Sequence, residues 1–287
     1  MDHYQIITDS GCDLPAKWLQ ELDVKTVSLL VDFRGETLTD SVDEGIAEIY
    51  AGLRKGESAT TSAVNPDRWA EAMKEALEQE KDVLVMPFSS GLSATCQAAH
   101  MAAEELKEAY PDRTVTVVDG LAASLGQGLL VWYACHKRDE GLSLAVLAAW
   151  IEDNKQHICH WFTVDDLMFL KRGGRVSAAT ALVGTMLSIK PVLHVDAEGH
   201  LINVGKVRGR KAAIKALADK VGELGAGYDN STVFISHGDC ADEAQILADM
   251  LKEKYGVKEV VLGYVGAVIG SHSGPGTIAL FFLGDHR

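Results

Sequence analysis

Three short segments contain side chains that could bind or transform a ligand. They are Thr60-Thr61-Ser62, the serine-rich run at residues 89–95 that contains Ser93, and the glycine-dense run at 266–276 around His272. Ser93 follows an apolar run and precedes an alanine-rich one, so we expect it at a strand-to-helix turn. The first N–H groups of a helix lack partners and carry partial positive charge, so such a turn attracts anions. These hydroxyls predict a site for a carboxylate or a phosphate.

Each of these segments also has a simpler interpretation. Ser93 can serve only as a helix N-cap, which contributes about 1 kcal/mol, and residues 60–62 can form a hydroxyl-rich turn before a helix. Catalysis is a further alternative, because Gly91-Leu92-Ser93 matches the first three positions of the GxSxG nucleophile elbow. Thr95 replaces the final glycine of that motif, and a serine acyl hydrolase would also need His272 as its base.

Other polar clusters have weaker support. The positions of Asp9 and Asp13 at the end of the first strand suit a Mg²⁺ site, but helix capping by Asp13 explains that segment more simply. His157, Cys159 and His160 are close in sequence, yet neighbouring strand residues point to opposite faces, which favours a packed strand over a metal site. No GxxxxGK[ST] or GxGxxG motif is present, so we expect neither a nucleotide nor another cofactor.

Composition narrows the class of protein. A net charge of −14 on 287 residues disfavours nucleic acid as a partner. One basic stretch, residues 171–211, is either a solvated face or a docking surface for an acidic or phosphate-bearing partner. The apolar runs are much shorter than the roughly 20 residues that span a bilayer, so we expect no stable membrane insertion. No secretory signal precedes the first strand, and we expect a cytoplasmic protein with reduced cysteines.

The order of predicted elements changes along the chain. In the first half, strands at 4–9, 24–33, 82–87 and 114–119 alternate with helices, which is typical of a parallel α/β sheet. After residue 157 the strands are closer together, and 191–196 with 200–206 read as a hairpin, which a parallel sheet lacks. We therefore predict a parallel three-layer α/β domain at 1–156 and an α+β mixed-sheet domain at 157–287. The crevice between them is the expected ligand site.

Taken in order, several motifs resemble those of the DegV family of bacterial fatty-acid-binding proteins, and the likeness covers essentially the whole chain. They are Thr8-Asp9-Ser10 with Asp13-Leu14-Pro15, Thr60-Thr61-Ser62, the 89–95 loop, Val164-Asp165-Asp166-Leu167, Lys171-Arg172-Gly173-Gly174-Arg175, Ile189-Lys190-Pro191, Lys206-Val207-Arg208 and the 270–276 segment. Ala94 stands where glycine is common in the family, and Ala63-Val64-Asn65 replaces the usual glutamine-proline.

The resemblance implies a carrier rather than an enzyme. A long-chain, palmitate-like fatty acid would lie between the domains, with its carboxylate at Thr61, Ser93, His272 and Ser62. Some such proteins present the acid to a separate kinase subunit, and Arg208 is then a candidate contact for that partner or for the acyl-phosphate. A dihydroxyacetone-kinase-like subunit that binds a phosphate ligand is the remaining alternative.

Overall fold

The computed structural model describes residues 4–177 and 188–287. Its strands are β1 (Tyr4–Asp9), β2 (Val24–Val27), β3 (Leu30–Phe33), β4 (Glu36–Thr39), β5 (Ala59–Ser62), β6 (Asp82–Met86), β7 (Val115–Val117), β8 (Ile158–Thr163), β9 (Ile189–Val195), β10 (Leu201–Arg208), β11 (Thr232–His237), β12 (Glu259–Tyr264) and β13 (Ile278–Leu283). Its helices are α1 (Ala16–Glu21), α2 (Ile46–Arg54), α3 (Pro66–Leu77), α4 (Thr95–Ala109), α5 (Leu125–Asp139), α6 (Leu144–Asn154), α7 (Leu167–Arg172), α8 (Arg210–Leu224), α9 (Ala241–Tyr255) and α10 (Ala267–Ser273). The sequence pattern also predicts a helix at 177–187, and this segment falls mostly outside the described residues.

The first half forms the parallel sheet that the sequence predicts. Its order is β2-β1-β6-β7, and all neighbouring strands run parallel. Ile6 pairs with both Val24 and Leu84. Helices cover both faces, which explains why β1 and β6 are almost continuously apolar and buried.

The prediction of one strand at residues 24–33 was wrong. The chain leaves the parallel sheet after Val27, and β3 starts a separate antiparallel sheet of order β4-β3-β5. The backbone between the strands bonds to side chains instead: Leu29 N–H donates to Ser10 Oγ, and Arg68 donates to the Ser28 carbonyl. The second sheet also corrects the turn interpretation of residues 60–62, because these residues lie in β5.

The second half contains a mixed sheet of order β10-β9-β8-β13-β11-β12. Only β11 and β12 run parallel; the other neighbours are antiparallel, and the predicted hairpin is β9 with β10. Side chains of β8 alternate between the two faces. Cys159 and Trp161 pack with α8 and α9, whereas Ile158 and Phe162 join a core that extends into the first half.

One local expectation was also wrong. Asp13 does not cap α1, whose N-cap is Pro15; its backbone adopts φ 54°, and its buried carboxyl group accepts a hydrogen bond from Ser124 Oγ at 2.5 Å.

In the glycine-dense run at 266–276, most of the residues form α10. The N-cap residue of α10, Gly266, has no side chain to accept a hydrogen bond from the first N–H groups of the helix. Asp40 provides this acceptor, because its Oδ1 accepts a hydrogen bond from Val268 N–H at 3.0 Å.

Candidate ligand-binding site

A cavity of about 310 Å³ lies between the two halves of the chain. Its wall is mainly apolar, formed by Leu29, Ala63, Phe88, Leu92, Ala94, Ala123, Phe162, Leu170, Val195, Leu201, Val265, Val268, Ile269, Ala279 and Phe281. Its polar lining comprises Thr61, Ser62, Ser93, Ser124, His160, Arg175, His272, Ser273 and Thr277. An apolar cavity with a few convergent polar groups is the usual form of a small-molecule site, and the volume is at the lower end of the usual range of about 300–1,000 Å³.

Thr61 and His272 meet at this cavity although 211 residues separate them. Thr61 reaches it from β5, whose register places it opposite Val31, and His272 reaches it from α10. Thr61 Oγ1 and His272 Nε2 are 2.8 Å apart and share a hydrogen bond. Sequence analysis predicted both residues for the site, but their direct contact depends on the packing of α10 against β5.

His272 is neutral at physiological pH. Burial and, to a smaller extent, the positive charge of Arg175 lower its pKa to about 4. Gly173 allows the ring to pack closely, because a Cβ at that position would lie 2.2 Å from His272 Nδ1. A neutral imidazole can donate or accept one hydrogen bond at Nε2, depending on its tautomer, but it carries no charge to a bound anion.

Ser93 both lines the cavity and supports the start of α4. Its Oγ accepts a hydrogen bond from Thr95 N–H at 3.2 Å and shares another with Thr95 Oγ1 at 2.8 Å. The capping interpretation is therefore partly correct. The hydrolase interpretation loses support, because in the described residues His272 bonds to Thr61 and Ser93 bonds to Thr95.

Arg175 contributes a cation to the cavity wall, and sequence analysis gave it no role in the site. Its Nε donates to the Leu92 carbonyl at 3.3 Å, beside Ser93, and its Nη1 donates to the Gly173 carbonyl. Partial burial lowers the pKa of the guanidinium from its ordinary value, although an arginine stays charged. Arg175 belongs to the basic stretch at 171–211. The sequence alone does not show which side chains of that stretch line the cavity and which are exposed.

Arg208 lies outside the cavity. It is exposed at the end of β10, the edge strand of the mixed sheet, opposite Ile189. Ser62, in contrast, lines the cavity beside Thr61. Of the five predicted site residues, the structure brings Thr61, Ser62, Ser93 and His272 together and places Arg208 on the surface.

Across residues 4–177 and 188–287, no group of histidine, cysteine or acidic side chains has a geometry that would hold a metal ion. The carboxylates of Asp9 and Asp13 instead bond to protein groups: Asp9 accepts from Phe88 N–H at 2.6 Å and from Gly11 N–H at 3.0 Å. In the same residues, no helix is long and apolar enough to cross a bilayer.

Fold and site together define an α/β protein that encloses an apolar cavity with polar groups from three different elements. The sequence matches the profile described as "Uncharacterised protein, DegV family" over residues 3–285. A DegV domain-containing protein of Clostridium perfringens is 43% identical over 100% of this chain and 99% of its own length. Another DegV domain-containing protein, from Lactococcus lactis, is 36% identical over 98% of this chain and 97% of its own length. The chain belongs to the DegV family, which confirms the resemblance seen in its motifs.

Solved structures of the family share the whole fold. A fatty-acid-binding DegV family protein from Thermus thermophilus is 34% identical, with a TM-score of 0.88 over 98% of this chain and 99% of that one. A stearic-acid-binding protein from Eubacterium ventriosum is 26% identical, with a TM-score of 0.88 over 98% of both chains. DegV, a fatty-acid-binding protein from Bacillus subtilis, is 28% identical, with a TM-score of 0.85 over 99% of this chain and 100% of that one. The predicted combination of a parallel sheet with a separate mixed sheet is thus confirmed.

Proposed function

We propose that this protein binds a long-chain, palmitate-like fatty acid in the cavity and carries it without transforming it. The observation that supports this most is one apolar cavity whose wall includes Thr61, Ser62, Ser93, His272 and Arg175. Each methylene that leaves water contributes about 0.8 kcal/mol, so the acyl chain supplies most of the affinity. The fatty acids bound by its structural relatives support the same ligand class.

In this proposal the carboxylate lies at the polar groups around Thr61 and Ser93. Their hydroxyls and neutral His272 donate hydrogen bonds, and Arg175 supplies the positive charge that the other groups lack. Hydrogen bonds to a charged acceptor are stronger than those between neutral groups. The domains at 1–156 and 157–287 would then close over the chain from opposite sides.

The head-group assignment is tested by Thr61→Ala combined with Ser93→Ala. We expect the double variant to bind palmitate at least tenfold more weakly by isothermal titration calorimetry, because the carboxylate loses two donors. Thr60→Ala with Ser90→Ala is the matched control, since these neighbouring hydroxyls are exposed and do not line the cavity. Equal affinity in the two double variants would refute the assignment.

The ligand class is tested by extracting purified protein and analysing the extract by mass spectrometry. We expect long-chain acids in near-stoichiometric amount. A phosphorylated metabolite in their place would favour the dihydroxyacetone-kinase-like alternative. Labelling of Ser93 by a fluorophosphonate would instead favour the hydrolase.

We further propose that the bound acid is presented to a separate kinase subunit, with Arg208 as a contact. Lys206, Arg208 and Lys211 are exposed and, among the described residues, form no ion pair, although the protein as a whole is strongly acidic. Unpaired cations of this kind attract an acidic surface or a phosphate.

A kinase subunit with ATP should convert the bound acid to its acyl-phosphate. We expect Arg208→Glu to slow this conversion at least fivefold while leaving palmitate affinity unchanged. Lys252→Glu, an exposed substitution on α9, is the control. Equal rates for the two variants would remove Arg208 from the proposed contact.

A further inference from the structure

Thr95, which replaces the final glycine of the GxSxG motif, is the first residue of α4 and does not itself line the cavity. Its side chain is fully buried. Two hydrogen bonds hold it in place: Trp69 Nε1 donates to its carbonyl at 3.1 Å, and Val64 N–H donates to its Oγ1 at 3.3 Å. Val64 follows β5, which carries Thr61 and Ser62, so Thr95 connects the two hydroxyl segments of the site.

The hydrogen bonds around Thr95 fix the direction of its hydroxyl hydrogen. A hydroxyl group has one hydrogen and two lone pairs. Thr95 Oγ1 accepts from Val64 N–H, and Ser93 Oγ lies 2.8 Å from it. If Ser93 donated in this second bond, the buried hydrogen of Thr95 would have no acceptor within residues 4–177 and 188–287. A buried donor without a partner is unfavourable, so Thr95 donates and Ser93 accepts.

This arrangement leaves Ser93 with a hydrogen to donate and no lone pair to offer. Its Oγ accepts twice from Thr95, from the backbone N–H at 3.2 Å and from the hydroxyl at 2.8 Å. Ser93 is partly exposed and lines the cavity, so its own hydrogen is available to a ligand. A hydroxyl that already accepts hydrogen bonds is also a stronger donor, because bonds in a chain polarise one another.

We propose that Thr95 is a positioning residue that makes Ser93 a donor only, so that the site selects a carboxylate over a head group of the same shape that has to donate. This inference rests on the proposed function and specifies how its head group is selected. Both oxygens of a carboxylate accept hydrogen bonds. A primary amide has nearly the same shape, but its NH₂ group cannot face Ser93 without bringing two donors together.

The test compares palmitate with palmitamide, its primary amide, in competition against a fluorescent fatty acid. We expect wild type to prefer palmitate, and Thr95→Val to lower this preference by about fivefold, because Ser93 can then accept from the amide NH₂. Thr95→Ser retains the hydroxyl and should retain the preference. Thr163→Val is the matched control, because Thr163 is equally buried, does not line the cavity and has a hydroxyl without a hydrogen-bond partner among the described residues.

A double-variant cycle tests whether Thr95 acts through Ser93. Ser93→Ala removes the hydroxyl that Thr95 orients, so it should lower the preference for palmitate by itself. Adding Thr95→Val to Ser93→Ala should then change the preference no further. A further loss in the double variant would show that Thr95 does not act through Ser93, and it would overturn the inference.

The outcomes separate this inference from the proposed function. Palmitate binding with an unchanged preference in Thr95→Val overturns this inference alone, and so does an equal loss of affinity for both ligands, which indicates a purely structural role. Failure of wild type to bind palmitate overturns the proposed function and this inference with it. If Thr95→Val does not fold, Thr95→Cys replaces it, because a thiol is only a weak donor, and an unchanged preference is again the contradicting result.

Discussion

At the scale of single residues, the burial of His272 has a measurable consequence. Its pKa is about 4 in the folded protein, against an ordinary value of 6.5. The unfolded chain therefore binds more protons between these values, and the contribution of His272 to stability is lost as pH falls through that window. Asp9 acts in the opposite direction, because burial raises its pKa to about 7 and its contribution is lost as pH rises.

A substitution of His272 separates its contribution to the pH dependence of stability from that of Asp9. We expect the stability advantage of wild type over His272→Gln, measured by urea unfolding, to shrink by about 3 kcal/mol between pH 7 and pH 4. His100→Gln, at an exposed position on α4, is the control. A constant difference across this range would mean that His272 is not desolvated in the folded protein.

At the scale of elements, the short helix α10 holds His272 in place, and Asp40 holds the start of α10. Asp40 Oδ1 accepts from Val268 N–H at 3.0 Å, and its Oδ2 accepts from Ser10 Oγ at 2.7 Å. The same helix presents Val268 and Ile269 to the cavity. The part of the cavity formed by α10 therefore depends on Asp40, although Asp40 does not itself line the cavity.

Asp40→Ala should cost about 1–2 kcal/mol of stability, the usual range for a lost helix cap, and weaken fatty-acid binding several-fold. Urea unfolding measures the loss of stability, and calorimetric titration measures the loss of affinity. Asp43→Ala is a matched control, because Asp43 accepts from Ala16 N–H at the start of α1 and does not contact α10. Unchanged affinity in Asp40→Ala would show that α10 positions His272 without this cap.

At the scale of the whole molecule, the two halves share one core. A single cluster of buried side chains contains Leu84 and Leu129 from the first half with Phe234 and Phe281 from the second. Arg287 adds polar links between the halves. Its guanidinium donates to the carbonyls of residues 120, 121, 155 and 158, and burial lowers its pKa to about 10.

We expect Arg287→Gln to lower the free energy of unfolding by about 2–4 kcal/mol, because several buried carbonyls lose their donor. Affinity for palmitate should fall as well, since the segment after residue 121 lines the cavity. Arg113→Gln removes one hydrogen bond, to the Glu80 carbonyl, at an exposed position and is the control. Similar losses in the two variants would contradict a special role for Arg287.

The sequence by itself determined the parallel sheet and the β9–β10 hairpin, because periodicity and local turn chemistry are read from neighbouring residues. It also predicted Thr61, Ser93 and His272 as ligand-binding residues, through motifs that resemble those of the DegV family, and all three line the cavity. Only the tertiary structure decided that the chain divides after Val27 into two sheets, that Thr61 bonds to His272 and that Arg175 lines the cavity. Each of these depends on contacts between residues far apart in sequence, and the packing that brings them together leaves no local pattern to read.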